Sequence, residues 1–196
     1  PALPDGLRRR VIEAALRLAR AVRYDNIGTF EFLVDASSGD EDRPFAFIEA
    51  NARLQVEHTV TEAVTGADLV ALQIDLARGR TLGELGLGDG ATLPVRGVAI
   101  EARINLERVG PDGTAVPSGG VLSRYELPSG PGIRIDGFGY NGYRTSPSFD
   151  PLIAKVITHH RGEDFDGAAA KLYRTLAEIR IEGADTNVDR KSTRLN

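Results

Sequence analysis

From Phe47 to His58 the chain reads Phe-Ile-Glu-Ala-Asn-Ala-Arg-Leu-Gln-Val-Glu-His. The odd positions from 49 to 57 are Glu, Asn, Arg, Gln and Glu, and the even positions from 48 to 56 are Ile, Ala, Ala, Leu and Val. Side chains alternate faces along a strand, so an extended segment here has one apolar face and one row of hydrogen-bonding and charged groups. A solvated strand face meets that pattern, and so does a ligand site; periodicity alone leaves both open. Spacing adds a constraint. Glu49 and Asn51 lie about 7 Å apart along a strand, close enough to reach one cation, whereas Glu57 lies about 26 Å from Glu49 if the strand is straight. The five polar groups converge on one substrate only if the chain turns back after roughly Arg53. Arg53, Gln55 and Glu57 are then left to curl round a small anion. Glu31, on the preceding strand, can face the same site as Glu49. Two carboxylates and a carboxamide, with no Cys in the chain and no nearby cluster of His, favour Mg²⁺ or Mn²⁺ over Zn²⁺.

The flanking sequence supplies the frame. Pro4 to Val22 predicts an amphipathic helix, with Leu7, Val11, Ala15, Leu18 and Val22 at spacings of three and four and Pro4 in the first turn. Thr29 to Val34 predicts a strand, Ala36 to Pro44 a solvent-exposed hairpin loop, and Phe45 to about Arg53 the returning strand. A second helix is predicted from Asp68, a good N-cap, to about Arg78, with Gly79 as its C-cap. Thr81 to Pro94 is a Gly-rich linker, and the domain boundary is placed at its end. Beyond it, Gly97 to Ile104, Gly119 to Tyr125, Ile133 to Asp136 and Leu152 to Thr158 predict strands, and Phe165 to Ile179 a closing helix. Short strands followed by a helix indicate an α+β domain.

Composition excludes several classes of function. A formal charge of -4 provides no excess of cations for phosphates, which argues against nucleic-acid binding. No apolar run approaches the roughly 20 residues of a membrane helix. The absence of Cys fits a cytoplasmic setting. The chain contains no Met and begins at Pro1 within helix-like sequence, so it is expected to be cut from a longer polypeptide.

The block Phe47 to His58, followed by Thr61-Glu62 and Thr65-Gly66, closely resembles the signature of the biotin carboxylase family within the ATP-grasp fold. Gly28 to Leu33 is similar to the strand that precedes that signature. Arg96-Gly97, Glu101 to Asn105, Pro117 to Gly120, Gly132 to Arg134, Asp150 to Lys155 and Gly183 to Val188 resemble the family's C-terminal domain. The resemblance implies the C-terminal part of an ATP-grasp domain over residues 1–94 and a biotin carboxylase C-terminal domain over 95–188. It also implies roles. Glu31 and Glu49 match metal-bridging carboxylates, and Asn51 matches a neighbouring metal and phosphate ligand. Arg53, Gln55 and Val56 match a bicarbonate pocket, and Glu57 matches the base that deprotonates bicarbonate. Arg134 matches the arginine that steadies the biotin enolate, and Leu33 would line the adenine pocket.

The activity so implied is carboxylation of biotin on a carrier domain, using ATP, Mg²⁺ or Mn²⁺ and bicarbonate, through carboxyphosphate. The implied partners are a biotin carboxyl carrier domain and a carboxyltransferase, within an acyl-CoA, pyruvate or urea carboxylase, with a homodimer as a further option. Two other readings compete: an ATP-grasp ligase of the carbamoyl-phosphate synthetase type, and a non-catalytic binding or dimerisation piece. The family's glycine-rich phosphate loop and nucleotide-binding lysines would lie before Pro1, so the isolated chain is expected to be inactive.

Other features have plainer explanations. His58 is read as structural, His159-His160 as a solvated strand end, Pro117 to Gly120 as a turn, and Lys155 as an ion-paired strand residue with no assigned role. The chain departs from the family with Ala50 and Ala52 at commonly larger positions, Thr59 at a common Pro, and an expanded hairpin tip. Asp189 to Asn196 is basic and nearly without apolar residues, and is expected to be a disordered, aberrant tail.

Overall fold

The computed structural model of the chain describes residues 3–35, 44–88 and 93–188, which fall into two units. The first comprises the described parts of Pro1–His58 and Asp68–Thr92, and the second those of Thr59–Ala67 and Leu93–Asn196. The expected tail at 189–196 and most of the expected hairpin tip lie outside the described residues.

In the first unit, helix α1 (Asp5–Ala21) begins directly after Pro4 and buries Leu7 and Ala14. Strands β1 (Thr29–Val34) and β2 (Phe45–Asn51) form an antiparallel hairpin. Phe30, Phe32, Phe45 and Phe47 gather on one face, with Phe32 5.7 Å from Phe47 and 5.8 Å from Phe45 between ring centres. The guanidinium of Arg10 sits 5.3 Å from the Phe45 ring centre, so α1 contributes to covering that aromatic face. The pairing slips between Glu31 and Phe32: Glu31 faces Glu49, but Phe32 faces Phe47. Ile48 is therefore an extra residue, a bulge that rotates the strand and re-aims its side chains. Without it Phe47 and Glu49, two residues apart, would share a face. With it the phenyl ring joins the aromatic side and the carboxylate joins Glu31.

The expected alternation holds only as far as Asn51, where β2 ends. The chain then turns, with the His58 backbone N–H bonded to the Gln55 carbonyl, and enters helix α2 (His58–Thr65). The sequence predicts no element between about Arg53 and Asp68, so this helix is an addition to it. A short run with three β-branched Thr and two Val gives little helical signal, and packing within the second unit supplies the rest. Helix α3 (Leu69–Ala77) follows the expected boundaries, and Asp68 caps it by accepting from the Ala71 N–H at 2.8 Å.

The second unit centres on a three-stranded antiparallel sheet of β3 (Val98–Asn105), β7 (Ile133–Gly137) and β8 (Leu152–His160), in the order β3-β8-β7. Two short ribbons attend it: β4 (Glu107–Val109) with β5 (Ala115–Pro117), and β6 (Arg124–Glu126) with β9 (Arg180–Glu182). One face of the sheet carries Ala102, Ile104, Ala154 and Val156 onto Leu172 and Leu176 of helix α4 (Phe165–Glu178), four residues apart on one side of that helix. The α+β class expected from the sequence is the one observed.

The predicted strand from Gly119 to Tyr125 is a correction. Leu122 bonds to Tyr143, whereas Ser123 bonds to Glu182, so the segment divides its hydrogen bonds between two neighbours and extends no ladder before β6. Gly183, at φ +96°, allows this close approach; a Cβ there would overlap the Val121 carbonyl oxygen.

Candidate functional site

The residues singled out from the sequence fall into a carboxylate cluster on the hairpin of the first unit and an arginine cage on the sheet of the second. In the hairpin, Glu31 and Glu49 are direct cross-strand partners. Like charges facing each other across a ladder are destabilising unless something lies between them. Here the Asn51 carboxamide does: its Nδ2 donates to Glu31 Oε1 at 2.9 Å and to Glu49 Oε1 at 3.0 Å. Gln55, beyond the strand end, donates to the same Glu31 Oε1 at 3.1 Å. Two carboxylate oxygens therefore close on one point that neutral amide hydrogens fill. This donor set suits a hard divalent cation, and a half-turn of the Asn51 amide would present its oxygen as a third ligand. Among the described residues no group of three or more His, Cys, Asp or Glu could hold a metal ion, so any metal here rests on the two glutamates and the amides.

Leu33, two residues along β1 from Glu31 and so on the same face, is largely exposed at 66%. Arg53 is exposed, with its Nη1 donating to the Leu54 carbonyl at 3.3 Å. Val56 is half-buried, and Glu57 is exposed immediately before the first residue of α2. The hairpin thus gathers Glu31, Glu49, Asn51 and Gln55 into one hydrogen-bonded group. Among the described residues no hydrogen bond joins Arg53 to that group. His58 has a structural contact, its Nδ1 lying 2.9 Å from the Gln55 carbonyl in the turn.

In the second unit, β3, β8 and β7 turn a polar face away from α4. The register sets Arg103 opposite Lys155 and Lys155 opposite Asp136, making a charged row across three strands. Arg134 lies two residues before Asp136 on the same face of β7. Its Nε and Nη2 donate to the two oxygens of Asp136 at 2.9 and 3.0 Å, a two-pronged contact. Its Nη1 donates to Glu62 Oε2 at 2.7 Å. The Asp136 hydrogen bonds, followed by that of Glu62, hold the guanidinium pKa above its ordinary value, so it stays fully charged. Lys155 Nζ stands 3.7 Å from Asp136 Oδ2. Helix α2 lies over this face, as Thr59 Oγ1 donates to Glu101 Oε2 at 2.5 Å.

Sequence reasoning named Arg134 and missed its holders. Asp136 was detectable, because a carboxylate two residues along a strand shares the face of the arginine. Glu62 was not, since its position depends on a helix that the local sequence does not announce. The ion pair expected for Lys155 is present, and its partner is Asp136. A cavity of about 650 Å³ lies elsewhere, lined by Arg108, Ile181, Glu182 and Asp185 among others, and none of the candidate residues borders it.

Comparison with known proteins gives concordant matches. Residues 1–85 match the family model of the carbamoyl-phosphate synthase L chain, ATP binding domain, and residues 101–193 match that of the biotin carboxylase C-terminal domain. The chain is 44% identical over 189 residues to pyruvate carboxylase 1 of Caenorhabditis elegans, covering 96% of this chain and 15% of that protein. It is 42% identical over 188 residues to biotin carboxylase 1 of Bacillus subtilis, covering 96% of this chain and 39% of that protein. It superposes on the biotin carboxylase domain of a single-chain bacterial carboxylase with a TM-score of 0.87 at 41% identity, over all of this chain and 43% of that one.

Proposed function

Because this chain belongs to the biotin carboxylase family, we propose that the protein containing it carboxylates biotin at the expense of ATP, with bicarbonate as the carbon source. Residues 1–94 are the C-terminal part of an ATP-grasp domain in this reading, and 95–188 are the biotin carboxylase C-terminal domain. The observation that supports it most is the convergence of Glu31 and Glu49 on the Asn51 amide, within the segment matched to an ATP-binding domain.

In the first step a bicarbonate oxygen attacks the γ-phosphorus of ATP and ADP leaves, giving carboxyphosphate. Glu57 takes the bicarbonate proton, and Arg53 and Gln55 hold the planar anion by hydrogen bonds. Glu31, Glu49 and Asn51 would hold Mg²⁺ or Mn²⁺, which would supply positive charge against the phosphates. Leu33 offers apolar surface to the adenine. In the second step carboxyphosphate breaks into CO₂ and phosphate. The phosphate removes the ureido proton of biotin, and the ureido nitrogen attacks CO₂. Arg134 steadies the negative charge that gathers on the ureido oxygen.

The biotin belongs to a carrier domain in this reading, and a carboxyltransferase passes the carboxyl group to an acyl-CoA, pyruvate or urea acceptor. A homodimer and a cytoplasmic location complete the proposal. Among the described residues no helix is long and apolar enough to cross a membrane. A second reading, a carbamoyl-phosphate synthetase, is favoured by the name of the model matched at residues 1–85. One assay separates the two. Bicarbonate-dependent ATP hydrolysis by the protein is expected to rise with free biotin; a rise with ammonia and none with biotin would establish the second reading instead.

A further inference from the structure

Arg134 projects from β7 on a long, flexible stem, yet its planar head has little freedom. Asp136 grips it along one edge with two parallel hydrogen bonds, and Glu62 takes a third N–H from Nη1. A guanidinium has five N–H donors. Three are engaged, which leaves one on Nη1 and one on Nη2 for an incoming oxyanion. The two carboxylates differ in setting. The Glu62 side chain is only 10% exposed against 49% for Arg134, so the carboxylate end of the pair is shielded from water while the guanidinium stays open to an incoming group. Asp136 is itself steadied by Lys155, whose side chain is 10% exposed. Within this group the two carboxylates and the two cations offset one another's charge.

We propose that Glu62 and Asp136 are positioning residues for Arg134, fixing the plane of its guanidinium so that its two remaining N–H groups meet the ureido oxygen of biotin as charge develops there. The proposal rests on the carboxylase reading above. Preorganised donors stabilise developing charge because they need no reorientation during the reaction. Without Glu62 the head pivots about its edge contact with Asp136; without Asp136 it loses the edge contact altogether. Neither carboxylate touches the substrate, so each acts only through the arginine.

The test uses the intact protein and compares Glu62→Gln, Asp136→Asn and Asp136→Glu with Arg134→Ala and with the double variants. The quantity read is the ratio of biotin-stimulated to biotin-independent, bicarbonate-dependent ATP hydrolysis. Glu62→Gln and Asp136→Asn are expected to lower that ratio by roughly tenfold to a hundredfold, the scale of a small misplacement of a catalytic group. Asp136→Glu, which keeps the carboxylate, should recover part of the loss. Added to Arg134→Ala, neither Glu62→Gln nor Asp136→Asn should lower the ratio further, since a group that acts only through the arginine has nothing left to act on. Single variants that keep the parent ratio, or double variants whose losses multiply, would overturn the positioning role while leaving the carboxylase reading intact. A parent protein whose ATP hydrolysis ignores biotin overturns the carboxylase reading, and the positioning role with it.

Discussion

Gln55 reaches back across the end of the hairpin to the Glu31 carboxylate, 3.1 Å away and twenty-four residues earlier in the chain. The contact requires the chain to turn after Asn51, as a straight strand would carry Gln55 away from β1. It makes the Glu31 oxygen the acceptor of two amides, from Gln55 and from Asn51. A carboxylate so held is preorganised, and its partner Glu49 stands opposite with the Asn51 amide between them.

Charge at this point should govern metal use. Replacing either carboxylate by Gln keeps the shape and removes one negative charge from a site that offers only two, and divalent affinity depends strongly on the number of charged ligands. Glu31→Gln and Glu49→Gln are each expected to raise the Mg²⁺ or Mn²⁺ concentration for half-maximal ATP hydrolysis by roughly tenfold or more. Titrating the metal at fixed nucleotide checks this, and unchanged midpoints would remove the hairpin carboxylates from the metal site.

Glu57 is exposed immediately before the first residue of α2, where a small anion can reach its carboxylate. Glu57→Gln keeps the side-chain volume and removes the proton acceptor. Turnover is expected to fall by roughly 10²–10⁴-fold, the usual contribution of a general base, with the apparent affinity for ATP largely intact. Steady-state kinetics over a range of ATP concentrations gives both values. Parallel loss of ATP binding would mean that Glu57 serves the nucleotide and not bicarbonate.

The sequence carried much of this arrangement, and its failures have definite physical causes. The alternation around Glu49 and Asn51 announced a polar strand face, and the hairpin delivers it, with Glu31 opposite Glu49 as that reading required. Alternation could not announce the bulge at Ile48, because a single extra residue leaves no compositional trace. Nor could it show that the alternating pattern outlasts the strand: Arg53, Gln55 and Glu57 keep the odd spacing although β2 stops at Asn51. Around Arg134, Asp136 was available from strand geometry. Glu62 depended on α2, which is stabilised by packing on the sheet and through contacts such as Thr59 to Glu101. Such long-range terms are absent from any local window.

The α4 end of the sheet offers a test of its own through Asp164. This residue caps α4, its Oδ1 accepting from the Gly167 N–H, while its other oxygen lies 3.0 Å from His160 Nε2 at the end of β8. The Gly167 hydrogen bond, aided by the nearby imidazole, holds the Asp164 carboxyl below its ordinary pKa. A carboxylate whose pKa is lowered by folding binds protons less readily in the native state than in the unfolded one. Its stabilisation is therefore fully present above the unfolded pKa and is lost as pH falls through the lower native value. Asp164→Ala should speed amide exchange in the first turns of α4 at neutral pH, because it removes both the cap and the carboxylate at the positive end of the helix. The difference between parent and variant should hold down to about pH 4, where an ordinary carboxyl begins to protonate, and shrink below it. Hydrogen exchange across that range, read on the α4 amides, checks the claim. A difference that grew as the pH fell would show the side chain acting in its protonated form, and the cap as drawn would be wrong.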